Sequence, residues 1–216
     1  MKKIEIAVID YGMGNLRSVS KAIEHIGAKV IITENIKKIL SAKALVFPGV
    51  GSFGPAIEYL KERGLDKAIQ EAIASDKYFL GLCLGFQLLF DKSFENGKHN
   101  GLSVVKGKVK KFDFTDKKYS ALKIPHMGWN IVEKVKSDES DRMFKNIPEN
   151  SFFYFVHSYY GIPSDEKFVA GITRYGIKFC SSLVSGKVWA CQFHPEKSGE
   201  NGLRLLRNFV NEVGKC

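Results

Sequence analysis

The sequence Phe79-Leu80-Gly81-Leu82-Cys83-Leu84-Gly85-Phe86-Gln87 joins an apolar run, a Gly-x-Cys-x-Gly turn and the opening of a helix. This is the thiol version of a nucleophile elbow, a sharp strand-to-helix turn whose flanking glycines leave room for strained backbone. It would present the Cys83 sulfur at the carboxyl end of a sheet, where open α/β sheets place their ligands. The dipole of the following helix favours thiolate over thiol. Without the glycines, a lone cysteine reads as a small buried hydrophobe. The choice between the two depends on whether the chain supplies a base.

Working outward from the elbow, the N-terminal half alternates strands and helices. Ile4–Asp10, Val30–Thr33, Ala44–Phe47 and Tyr78–Leu82 read as strands. Between them, 15–26 is helical with Leu16, Val19, Ile23 and Ile26 on one face and Gly27 as its C-terminal cap. Pro55–Arg63, Leu65–Ser75 and the segment opening at Gly85–Phe90 are also helical in pattern. Such alternation implies a parallel sheet covered by helices on both faces. Beyond residue 100 the style changes. Leu102–Phe112, Ile131–Val135, Ser151–Val156, Val169–Thr173, Lys178–Val184 and Val188–Phe193 are short strands separated by glycine turns. They are expected as an antiparallel extension of the same sheet, closed by an amphipathic helix over Glu200–Val213. The expected class is therefore α/β, a central mixed but mostly parallel sheet flanked by helices, in one domain spanning 1–216.

Composition narrows the function. The 216 residues are 44% hydrophobic, and no apolar run approaches membrane-spanning length, so no membrane association is expected. The first residues lack the pattern of a signal peptide, and a cytoplasmic location is expected. Cys83, Cys180, Cys191 and Cys216 show no C-x-x-C spacing, so neither disulfides nor a metal site is expected. Lys+Arg 33 against Asp+Glu 23 gives a net charge of +10, but the excess is lysine scattered in ones and twos. A solvated lysine-rich surface explains it better than nucleic-acid binding, for which arginine is the better reader.

The base for Cys83 is found in Gln192-Phe193-His194-Pro195-Glu196. Proline pushes the residue before it into the extended region. In an extended segment i and i+2 share a face, so Glu196 can orient the His194 imidazole. A third segment, Pro48-Gly49-Val50-Gly51, is free to turn backbone N–H groups toward a ligand. It reads either as part of an oxyanion hole, with Gly49, Val50, Gly51 and the N–H of Leu84 as donors, or as a phosphate loop. It lacks the Lys-Ser/Thr ending of a Walker motif.

Together, Gly81–Gln87, Pro48–Gly54 and Phe193–Ser198 resemble a class I (triad) glutamine amidotransferase of flavodoxin-like fold. Asp10–Val19, Pro125-His126-Met127-Gly128-Trp129-Asn130 and Phe155–Tyr159 resemble, more narrowly, the glutaminase (HisH-type) subunits of imidazole glycerol phosphate synthases. Phe86 and Leu82 replace the usual methionine and isoleucine. The resemblance implies hydrolysis of L-glutamine by Cys83, His194 and Glu196, with Gly51, Gln87, Glu95, Ser158 and Tyr159 holding the substrate. It implies no cofactor. It also implies a separate (β/α)8-barrel (HisF-type) synthase subunit, which would receive the ammonia and form imidazole glycerol phosphate and an aminoimidazole carboxamide ribotide. Two other readings are a paralogue serving another synthase, such as a sugar-amidating enzyme, and a non-catalytic regulatory subunit. His126 is expected at the subunit interface or in a structural hydrogen bond, and His157 near the pocket.

Overall fold

A computed structural model describes residues 4–215. The first half builds β1 (Glu5–Ile9), α1 (Leu16–His25), β2 (Lys29–Thr33), α2 (Ile36–Ser41), β3 (Ala44–Phe47), α3 (Phe53–Glu62), α4 (Leu65–Ala74) and β4 (Tyr78–Leu82). Then come α5 (Leu84–Leu88), β5 (Phe90–Ser93), β6 (His99–Asn100) and β7 (Val105–Lys111). The remainder is β8 (His126–Lys134), α6 (Asp138–Met143), β9 (Ser151–His157), β10 (Tyr159–Pro163), β11 (Val169–Tyr175), β12 (Ile177–Ser185), β13 (Val188–Cys191) and α7 (Gly199–Val213).

Nine strands form the main sheet in the order β2-β1-β3-β4-β13-β12-β11-β8-β9. From β2 to β13 all neighbours are parallel, and from β13 to β9 all are antiparallel. Parallel strands covered on both faces read as continuous apolar runs, and Tyr78–Leu82 is buried at every position. One face packs α2, α3 and α4 through Ile39, Ile57, Leu60 and Ile69. The other packs α1 and α7 through Val19, Ile23, Leu205, Leu206 and Phe209. The Asn15 side chain caps α1 by accepting the Ser18 N–H, and Gly27 at φ +101° ends it. Among the described residues, no helix is long and apolar enough to cross a membrane.

Two expectations need correction, and two helices are new. Leu102–Phe112 does not extend the main sheet: β7 belongs to a separate four-stranded sheet ordered β10-β7-β5-β6. The cause is the brevity of α5, which stops at Leu88 so that Phe90 starts a strand and buries its ring against Phe86. Val188–Cys191 is parallel to β4 on one side and antiparallel to β12 on the other. The helices α2 and α6, of six residues each, were not legible, because so few turns show no periodicity; local caps from Asn35 and Ser137 start them.

Candidate active site

The elbow is present and strained. Cys83 follows β4 at φ +50°, ψ −99°, a region that L-residues enter at a cost on the order of 1–3 kcal/mol. Its glycine flanks are steric necessities. A Cβ on Gly81 would lie 2.7 Å from the Gly85 carbonyl oxygen, and one on Gly85 would lie 2.3 Å from that of Phe47. Gly49 packs on the same turn, since a Cβ there would come within 2.5 Å of the Leu84 nitrogen.

Strand β13 lies beside β4, so the segment that follows it arrives next to Cys83. His194 is extended at φ −104°, ψ 93°, as its proline neighbour requires. Its backbone N–H donates to Tyr154 O at 2.9 Å. Ser198 Oγ donates to His194 O at 2.6 Å and accepts the Tyr154 N–H at 3.0 Å, which pins the loop to β9. The ring Nδ1 lies 2.9 Å from Glu196 Oε1, with both side chains almost fully buried. Burial by itself disfavours the imidazolium. The adjacent Cys83 sulfur and the Glu196 carboxylate outweigh burial and raise the His194 pKa to about 10. The other nitrogen, Nε2, is buried with no hydrogen-bond partner, as is Glu196 Oε2. Buried polar atoms are rarely left so, and an open Nε2 beside a sulfur is a place for a proton to be delivered.

Cys83 opens onto a cavity of about 330 Å³, a size suited to a small molecule. Of the residues expected to hold substrate, Val50, Gly51, Leu84, Gln87, Glu95, Ser158 and Tyr159 all line it. Gly49 lies behind the wall, against the start of α5. Glu95 Oε2 accepts the Phe53 N–H at 2.9 Å. Both hydrogens of Gln87 Nε2 are engaged, with Tyr159 O at 2.9 Å and Gln192 Oε1 at 3.1 Å. The Leu84 N–H belongs to the first turn of α5, where backbone donors lack helical partners. The Val50 N–H is turned elsewhere: it donates to Tyr11 Oη at 3.1 Å, and that hydroxyl donates back to Val50 O at 2.9 Å. Tyr11 is buried and stacked on Phe47.

Sequence reasoning missed Tyr11, Pro125, Val156 and Gln192. Only Gln192 had a local signal, because alternation along an extended segment places it on the side of His194; Glu196 itself lies in a 3-10 turn over Pro195–Lys197, so that turn and not extended alternation brings it to His194. His157 lines the cavity, and His126 is buried with its Nδ1 3.0 Å from His157 Nε2. Among the described residues, no group of three or more His, Cys, Asp or Glu side chains is arranged to hold a metal ion.

Comparison with known proteins agrees with this geometry. The model of the class-I glutamine amidotransferase family matches residues 7–213. The imidazole glycerol phosphate synthase subunit HisH of Sulfurimonas denitrificans is 47% identical over 205 residues, 95% of this chain and 97% of that one. The HisH subunit of Aquifex aeolicus is 47% identical over 209 residues, 96% of this chain and 97% of its own. Among solved structures, PurLQS from Thermotoga maritima superposes with a TM-score of 0.74 at 19% identity, covering 98% of this chain and 99% of that chain, and so shares the fold. With its elbow, its cavity and this full-length similarity, the chain belongs to the class-I glutamine amidotransferase family, on the branch of the HisH subunits.

Proposed function

We propose that the chain is the glutaminase subunit of an imidazole glycerol phosphate synthase, hydrolysing L-glutamine to glutamate and ammonia for histidine biosynthesis. The observation that carries this reading is Cys83 on a strained elbow beside the His194–Glu196 pair, opening onto a cavity that also holds Glu95. Glu95 would pair with the substrate ammonium, and Gln87, Ser158 and Tyr159 would flank the rest of the molecule.

The Cys83 thiolate attacks the side-chain amide carbon, and the carbonyl electron pair moves onto oxygen. The Leu84 N–H and the Gly51 backbone, both in the cavity wall, would face that oxyanion; Val50 joins them only after releasing Tyr11. As the C–N bond breaks, nitrogen takes its electron pair and a proton from His194 Nε2, leaving ammonia and a glutamyl thioester. Neutral His194 then deprotonates a water that attacks the thioester. Breaking the C–S bond regenerates the thiolate, and His194 keeps the proton it took from the water, its Nδ1–H held by Glu196. No step calls for a cofactor.

Cyclisation to imidazole glycerol phosphate lies outside this chemistry and falls to a (β/α)8-barrel partner. Supporting a docked partner, β8 and β9 expose an apolar face on which Met127, Trp129 and Phe152 are more than half exposed. The cross-strand pairs Met127↔Val156 and Trp129↔Tyr154 run from that face to Val156 in the cavity wall. The relatives' names favour this acceptor over a sugar-amidating synthase. We take residues 1–216 as one domain, because β10 of the small sheet follows directly on β9 of the large one. Cys83, Cys180 and Cys191 are free thiols, which suits a reducing cytoplasm.

The test is to mix the purified chain with the barrel subunit and assay glutamine-dependent product. Cys83→Ala is expected to abolish glutamate release while leaving the fold and docking intact; undiminished release refutes the nucleophile.

A further inference from the structure

Gln192 follows β13 directly and is completely buried. Its Nε2 lies 3.6 Å from Cys83 Sγ, a contact in which the sulfur accepts, since an amide nitrogen can only donate. The two ends of an amide differ little in shape, so the assignment rests on what surrounds it, and here the surroundings leave one choice. His157 Nδ1 is 2.7 Å from Tyr159 O, and a carbonyl only accepts, so Nδ1 carries the proton. In a neutral ring, His157 Nε2 is then the acceptor for His126 Nδ1–H at 3.0 Å. His126 Nε2 in turn accepts from Asn130 Nδ2 at 3.1 Å. Tyr159 O also accepts from Gln87 Nε2, whose second hydrogen goes to Gln192 Oε1. With Oε1 accepting, Gln192 Nε2 must face the sulfur. Burial keeps both rings neutral, lowering His126 to about 4 and His157 to about 3, as the pattern requires.

We propose, resting on the glutaminase reading, that Gln192 is a catalytic residue whose side-chain amide donates a hydrogen bond to the Cys83 sulfur, favours the thiolate and aims it into the cavity. A donor to a charged group favours the charged form. The contact is long and the acceptor soft, so the sulfur is steadied without being withheld from the amide carbon. The same N–H receives the sulfur again when the thioester collapses and the electron pair of the C–S bond returns to it. Gln192 therefore serves both halves of the reaction, whereas His194 alternates between acid and base.

The titratable groups around the sulfur and its cavity are His194 and Glu196 after β13, Cys191 at its end, Tyr11 after β1, and Glu95, His157 and Tyr159 in the cavity wall. All are kept in the variants. The experiment follows iodoacetamide alkylation of Cys83 against pH by peptide mass spectrometry in the full chain, alongside glutamine turnover with the synthase partner bound. Burial pushes the Cys180 thiol up to about 12 and that of Cys191 well above its usual value, so neither competes.

In Gln192→Met, which removes the donor at similar volume, the alkylation profile moves to higher pH. At a pH below the midpoint the rate falls about tenfold, matching about one pH unit. Turnover falls by a similar factor in kcat with little change in KM. Gln192→Asn, which withdraws the amide by one methylene, shifts the profile the same way and keeps the test open should the methionine variant fold poorly. An unshifted profile in a variant with an unchanged circular dichroism spectrum overturns the role. Failure of the glutaminase reading looks different: Cys83→Ala would retain hydrolysis, and Cys83 of the unaltered chain would show no preferential alkylation.

Discussion

Cys83, His194 and Glu196 meet because two local backbone rules, a glycine-flanked elbow and an extended residue before proline, place their side chains on neighbouring strand ends. The charge state of this group has a consequence for stability. The His194 pKa is raised from 6.5 to about 10, so its contribution is complete below 6.5 and is lost as the pH rises through about 10. Glu196→Gln removes one of the two anions responsible. The stability difference between the unaltered chain and this variant, read from urea midpoints, should shrink as the pH climbs through that window; a constant difference would contradict the assignment. His126 and His157 act in the opposite sense. Their depressed values make the neutral rings fully stabilising above 6.5, and that stabilisation is lost as the pH falls toward about 4 and about 3. His126→Asn should take up about one proton fewer on unfolding in mildly acid solution, measured from the slope of stability against pH. The triad was legible because each signal lies within a few residues. Tyr11 on Val50 was not, since that contact joins residues 39 positions apart; the side of the chain on which Gln192 lies was legible, but its reach to Cys83, 109 positions away, was not.

At the scale of elements, the parallel half was readable because buried strands and amphipathic helices differ in period, and β4 and α7 show it plainly. The small sheet was not. Its strands β5 and β6 are four and two residues long, and their place depends on where α5 stops rather than on their own composition. The elbow offers the sharpest test here. Gly85→Ala forces a methyl against the Phe47 carbonyl, a collision of backbone with backbone that no side-chain rotation relieves. A destabilisation of about 3 kcal/mol is expected from overpacking of this kind, read by urea denaturation, with loss of rapid Cys83 alkylation. Native stability in that variant would show that α5 can slide on β3.

Across the whole molecule, the exposed apolar face of β8 and β9 stands against a surface carrying a net charge of +10. Trp129 is 56% exposed and rests edge-on against Tyr154, the placement of an interface anchor rather than a core residue. Truncating a buried interfacial tryptophan commonly costs about 2 kcal/mol or more. Trp129→Ala should therefore weaken binding of the synthase partner by at least about tenfold in calorimetry while leaving the chain's own unfolding midpoint unchanged. The sheet order has one more effect. Strand β4 brings the sulfur, and β13, more than a hundred residues later, slots in parallel beside it with the imidazole and the carboxylate. A chain still emerging from the ribosome thus carries its thiol without the imidazole beside it for as long as translation takes to reach that last strand, and a product truncated before β13 lacks the pair on which the proposed hydrolysis depends.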